Sequence, residues 1–170
     1  MSDTPVFSPA READAPVIAG LRQRCWAAAY RSFYPDEMID HFDHAWHAAR
    51  DRARIRDDRC IVRLILLDSE AIGYIILRTG DEALLMSLYI LPEHHRQGVG
   101  TAAFRHAQDT FRRLGYPFFI CHCLPQNTSA RAFYEHMGGT VSGWDTGNPE
   151  PWQDSVIYRF PCCPHPKEAP

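Results

Sequence analysis

The stretch Leu88–Phe104, LYILPEHHRQGVGTAAF, runs from a β-rich segment into a helix-like one through a basic turn that holds Gly98 and Gly100. A helix that starts directly after such a turn leaves several backbone N–H groups unpaired at its N-terminus, at the positive end of the helix dipole. That arrangement suits an anion, a phosphate above all. Gly98 and Gly100 allow a bulky group to approach the backbone, Arg96 adds a positive charge and Thr101 a hydroxyl. Taken alone, the G-x-G pair fits a plain tight turn equally well. The chain has no G-x-x-x-x-G-K-[ST] element and no G-x-G-x-x-G, so the phosphate expected here belongs to something other than a nucleoside triphosphate or a dinucleotide.

Working outward, the meander before this turn reads as three strands, CIVRLILLD, AIGYIILRTG and EALLMSLYIL, separated at Asp68-Ser69-Glu70 and Gly80-Asp81. After the turn, Phe104, Ala107, Phe111 and Leu114 recur at helical steps until Gly115. YPFFICHCL is then a buried strand, NTSARAFYEHMGG a helix opened by Asn127 and closed by Gly138, and TVSGW and DSVIYRF the last strands. Upstream, Val17, Ile18, Leu21, Cys25 and Ala28 predict a first helix beginning near Glu12 or Asp14. A second helix restarts after Tyr34-Pro35 with Met38, Ile39, Phe42 and Trp46 as its apolar stripe.

The 170 residues, 45% of them hydrophobic, suit one domain with a real core, expected over residues 1–160 with a Pro-rich flexible tail over 161–170. The formal net charge of −3 and the absence of a basic block exclude an obvious nucleic-acid partner. No apolar run is long enough for a membrane span and no leader is apparent, which with six scattered cysteines predicts a cytoplasmic protein with reduced thiols.

LYILPEHHRQGVG resembles the cofactor motif [QR]-x-x-G-x-[GA], with its preceding strand, of the GNAT superfamily of N-acetyltransferases, departing from it at His95. NTSARAFYEHMGG resembles that family's second motif, a helix with Asn127 and Tyr134 seven residues apart. The likeness extends over residues 5–160, by motif after residue 60 and by pattern before it. It implies an α+β fold: a mixed, mostly antiparallel sheet of six to seven strands with about four helices, the strands splayed at the cofactor site.

The resemblance also implies an acetyl-CoA-dependent transferase acting on a primary amine of a small molecule or peptide, without a metal. The backbone of Leu88, Tyr89 and Ile90 would pair with the pantetheine arm and polarise the acetyl carbonyl. His95, Arg96, Gln97, Gly98, Val99, Gly100 and Thr101 form the pyrophosphate loop. Asn127 would bond the arm or cap its own helix. Tyr134 would donate a proton to the departing thiolate; without the resemblance it is a Tyr on the inward face of an amphipathic helix. His122, at a strand position where some members carry a Glu base, is the candidate base or, equally, a core histidine. Glu82, Glu93 and His94 are lesser candidates for that base. Exposed edge strands of this fold leave room for pairing as a homodimer.

Three clusters suggest metal ligands and are better read otherwise. In Cys121-His122-Cys123 the middle residue points away from the other two. His41, His44 and His47 read as a solvated helix face, and CCPH at 162–165 as tail. Acceptor specificity is expected from AAYRSFYPDEM and WDTGNPEPWQD, with Tyr30, Phe33 and Tyr34 as apolar walls and Asp145, Glu150 and Asp154 attracting a cationic amine. A non-catalytic acyl-CoA-binding module is the rival, needing the glycine loop but neither His122 nor Tyr134.

Overall fold

The computed structural model describes residues 4–163. Its sheet is organised around β3 (Glu70–Arg78), in which every residue from Ile72 to Leu77 is buried, as an unbroken apolar run covered on both faces requires. β2 (Cys60–Leu67) and β4 (Leu84–Ile90) flank it antiparallel, and β1 (Val6–Pro9) pairs outside β2. Beyond β4 lie β5 (Phe118–Cys123), then β7 (Ser155–Pro161), then β6 (Thr140–Asp145) at the far edge. Only the β4–β5 contact is parallel, and a parallel neighbour demands a crossover, supplied by the helix that follows the glycine turn. The result is the mixed seven-stranded α+β sheet expected from the sequence.

Among the described residues there are five α-helices rather than about four, because the second predicted helix divides into α2 (Asp36–Asp40) and α3 (His44–Arg56). Asp43 adopts an extended conformation, and its side chain accepts a 2.9 Å hydrogen bond from the Trp46 amide. This N-cap competes with continuing the helix and wins. The expected stripe is broken accordingly: Ile39 and Phe42 are buried, while Met38 and Trp46 are exposed. His47 does not share a solvated face with His41 and His44 either, since its ring stacks on Phe42 at 4.1 Å.

Alternation along the strands sends side chains to two cores. On one face α1 (Ala15–Ala29) packs Ile18, Leu21 and Cys25 against Val62, Leu64, Tyr74 and Ile76. On the other, α4 (Val99–Arg113) buries Ala103, Phe104, Ala107 and Phe111, and α5 (Thr128–His136) adds Phe133 and Tyr134. Phe104 lies 4.8 Å from Phe160 and 5.5 Å from Phe119, ring centroid to ring centroid. Each fully buried Phe contributes on the order of 1.5–3 kcal/mol. Leu114, expected in this stripe, falls past the last turn and is exposed. At the start of the segment expected as a tail, Pro161 pairs with Phe118 and Cys162 is buried. Residues 164–170, including the end of the CCPH cluster, lie outside the described residues.

A buried ion pair ties α1 to α3. Arg22 donates to both oxygens of Asp51, at 2.7 and 2.9 Å, and Arg54 donates to Asp51 at 3.1 Å. Burial opposes the charge on Arg22 most strongly, but the hydrogen bonds to Asp51, the Asp51 charge and the contribution of Tyr74 together outweigh it and raise its pKa. His47 sits beside this pair, with its Nδ1 3.5 Å from the Arg22 guanidinium. Burial first, and the Arg22 charge second, lower the His47 pKa from 6.5 to about 4. Folding therefore favours the neutral ring, and the unfolded chain binds the extra proton between these values. Stability should be complete above about pH 6.5 and decline as pH falls toward 4. His47→Gln should flatten that slope by roughly 1 kcal/mol, allowing for solvent screening, as read by urea denaturation at pH 7 and pH 5.

Candidate active site

β4 and β5 are joined at only two residue pairs, Leu84 with Ile120 and Leu85 with Cys121. Next to that junction, Ile76 pairs with Ser87 and Leu77 with Leu85, so Met86 is an extra residue in β4. Such a bulge bends the strand. Past it, Leu88, Tyr89 and Ile90 keep their β3 partners Ile75, Tyr74 and Gly73 on one edge, but no β5 residue pairs with the other. Gly73 permits this close course: a Cβ there would stand 2.4 Å from the Tyr89 carbonyl oxygen. The sheet therefore opens into a cleft whose wall is a free strand edge.

The glycine turn closes one end of the cleft. Arg96 and Gly98 have φ of 58° and 81°, and Gly98 is the N-cap of α4, with no side chain capping it. His95 and Gln97 brace the turn: His95 Nε2 lies 2.8 Å from the Ile90 carbonyl, and the Gln97 amide donates to the Glu93 carbonyl at 2.9 Å. The first backbone bond at the helix start is Ala102 N–H to Gly98 O. Among the described residues, none of the N–H groups from Arg96 to Thr101 has an intrachain acceptor. Six consecutive donors at a helix N-terminus fit a pyrophosphate. Val99 is buried and anchors the turn to the core.

Tyr134 packs against the core on the α4–α5 face of the sheet. Its ring packs against Phe133, Tyr158 and Phe160. Burial, followed by the thiols of Cys121 and Cys123, pushes the phenol pKa well above 10, so it stays protonated. Burial likewise pushes the Cys123 thiol up to about 11 and leaves Cys121 protonated. Asn127 caps α5, its Oδ1 accepting from the Ala130 amide at 3.1 Å, which leaves its N–H₂ group free for other contacts.

His122 lies on the opposite face, exposed, between the buried Cys121 and Cys123. Its Nδ1 is 2.9 Å from the Ser155 hydroxyl, so Nε2 is the nitrogen left open. It borders a cavity of about 280 Å³ shared with Tyr30, Tyr34 and Tyr89, and with Trp152, Asp145 and Asp154. Tyr89 is held there by Trp26 Nε1 at 3.2 Å and the Tyr30 hydroxyl at 3.3 Å. Of the residues expected in the acceptor loops, Phe33 and Glu150 do not line this cavity. Glu93 is committed to Arg24, and Glu82 and His94 are not among the lining residues. Sequence reasoning missed Ser155, Trp152, Gly73 and the side chain of Tyr89. Only Trp152, an aromatic within an otherwise polar loop, carried a local signal.

Among the described residues no helix is long and apolar enough to cross a membrane. No group of three or more His, Cys, Asp or Glu side chains there is arranged to hold a metal ion.

The model of the acetyltransferase (GNAT) family matches residues 21–139. No curated protein matches the chain. Among solved structures, the PaiA N-acetyltransferase of Thermoplasma acidophilum in complex with coenzyme A is 19% identical, covers 93% of this chain and 99% of its own, and superposes with a TM-score of 0.81. The ribosomal-protein-S18-alanine N-acetyltransferase of Escherichia coli is also 19% identical, covering 98% and 99%, with a TM-score of 0.70. A spermidine N-acetyltransferase chimera that includes the Vibrio cholerae protein is 17% identical, covering 93% and 95%, with a TM-score of 0.70. At these identities the likeness is one of fold.

The turn allows a test that separates stability from binding. Gly98→Ala should cost about 1–2 kcal/mol, because a side chain is strained at its φ. In Gly100→Ala the added Cβ would meet Phe133 at 3.5 Å, an ordinary contact, so thermal stability should be unchanged. Calorimetric titration of both variants with coenzyme A then reads how closely a ligand approaches each position.

Proposed function

The chain belongs to the GNAT acetyltransferase family, and from that premise we propose that it transfers an acetyl group from acetyl-CoA to a primary amine by direct attack in a ternary complex. The observation that carries this reading is the free edge of β4 beside six backbone N–H groups without intrachain acceptors. Those donors, with Arg96, would hold the pyrophosphate. The open edge of Leu88, Tyr89 and Ile90 would pair with the pantetheine arm, and the N–H₂ group of Asn127 would reach the same arm. Acetyl-CoA supplies an activated thioester when bound.

Acid and base approach from opposite faces of the sheet, which suits a displacement in which the amine enters on one side and sulfur leaves on the other. His122 Nε2 takes the amine proton, directly or through one water, while Ser155 holds the ring through Nδ1. Amide donors of β4 stabilise the charge that develops on the acetyl oxygen. As nitrogen bonds to the acetyl carbon and the carbon–sulfur bond breaks, the Tyr134 phenol, kept protonated by its surroundings, gives its proton to the thiolate. Solvent returns the Tyr134 proton and removes the one on His122.

The first experiment is release of free CoA thiol from acetyl-CoA with a panel of polyamines, aminoglycosides, amino acids and peptides. Stimulation by one class is the expected result. Tight coenzyme A binding with no transfer to any amine would instead support the binding-module reading. Tyr134→Phe should lower kcat by about 10²-fold with coenzyme A affinity nearly intact, and His122→Gln should lower kcat likewise. Unchanged turnover in either variant removes that residue from the mechanism.

A further inference from the structure

The cavity bordered by His122 is asymmetric in a way that the transfer chemistry does not require. Tyr30, Tyr34 and Tyr89 form one wall, and Trp152 stands across from Tyr34 with ring centroids 6.5 Å apart. Tyr34 is fixed by stacking on Trp26 at 5.6 Å, nearly parallel. Among the described residues, the formally charged side chains on its lining are Asp145 and Asp154, and no Arg lines it.

Both carboxylates are held in place without being neutralised. The Asn148 backbone N–H and side-chain amide donate to Asp154 Oδ1 at 3.1 and 3.0 Å, and the same amide donates to Asp145 Oδ1 at 3.3 Å. The second oxygen of each has no hydrogen-bond or ion-pair partner among the described residues. Some acidic groups elsewhere on this Arg-rich chain are matched, as in Glu12 with Arg56, Asp40 with Arg31, Asp57 with Arg59 and Asp109 with Arg112; these two, although held by Asn148, are not. Two fixed, uncompensated carboxylates facing aromatic rings attract an ammonium group through both charge and ring quadrupole. They repel an acceptor that carries its own carboxylate. At about 280 Å³ the cavity lies at the small end of the range of ligand pockets, which suits a small amine.

We propose that this cavity selects a small aliphatic amine bearing a second cationic group, with that far end held between Asp145, Asp154 and the rings of Tyr34 and Trp152. The near, reacting amine is assigned by the acetyltransferase reading, on which this proposal rests for catalysis but not for binding.

The test compares three four-carbon amines that differ only at the far end: putrescine (cationic), n-butylamine (neutral) and γ-aminobutyrate (anionic). Each is titrated calorimetrically into the full chain with coenzyme A present, and each is assayed for acetyl transfer. Binding of putrescine at least tenfold tighter than n-butylamine, with γ-aminobutyrate weakest, is expected, and kcat/KM should follow the same order. Asp154→Asn keeps the Oδ1 acceptor for Asn148 and so the loop; with Asp145→Asn as a second, independent variant, each should shrink the difference between putrescine and n-butylamine. Selective putrescine binding without transfer upholds the proposal and overturns the acetyltransferase reading. Equal transfer to all three amines does the reverse. Equal or absent binding of the three, or selectivity that survives both substitutions, overturns the proposal.

Discussion

The parting of β4 from β5 is the constraint on which the candidate site depends. A strand edge inside a fold carries N–H and C=O groups that need partners, and here the edge of Leu88, Tyr89 and Ile90 has none from β5. The extra residue Met86 bends the strand outward, and Gly73 lets it run close against β3 while doing so. An extended ligand arm paired there would complete the sheet in the manner of an added strand. The same divergence points β4 into the glycine turn, so the free edge and the free helix N-terminus are continuous with one another.

The two faces of the sheet present different groups. The α4–α5 side carries Tyr134 in an aromatic core that keeps its phenol protonated. On the α1–α3 side, His122 faces an open cavity with Ser155 behind it. What keeps that cavity in shape is partly remote: the Arg22–Asp51 pair clamps α1 to α3, and α1 delivers Trp26 and Tyr30 to Tyr89. Removing one partner of such a buried pair strands a charge and typically costs about 3–5 kcal/mol. A disturbance there would reach the cavity beside His122 through the helix.

The elements read correctly from the sequence are those whose cause is local. The meander, the α4 stripe of Phe104, Ala107 and Phe111, and the cap at Asn127 are each settled within a few residues by periodicity, turn chemistry or a side chain bonding its own backbone. The glycine turn belongs with them. The split of the second helix was local too, but two local rules competed there: apolar spacing favoured continuity, while the Asp43 cap ended it. What escaped the sequence is what joins distant segments. Arg22 meets Asp51 across 29 positions and His122 meets Ser155 across 33, with no pattern in between to announce either contact.

The sequence by itself therefore determined the order of strands and helices, the anion-ready turn and the two motifs that mark the family. Short-range hydrogen bonding and side-chain periodicity are enough to specify those. Only the tertiary structure decided where β4 leaves β5, which face of the sheet each candidate residue occupies, and that Tyr34 and Trp152 meet above two unpaired carboxylates. Those features follow from register and packing between segments far apart in the chain, and the energy that selects them exists only once the sheet has closed around its cores.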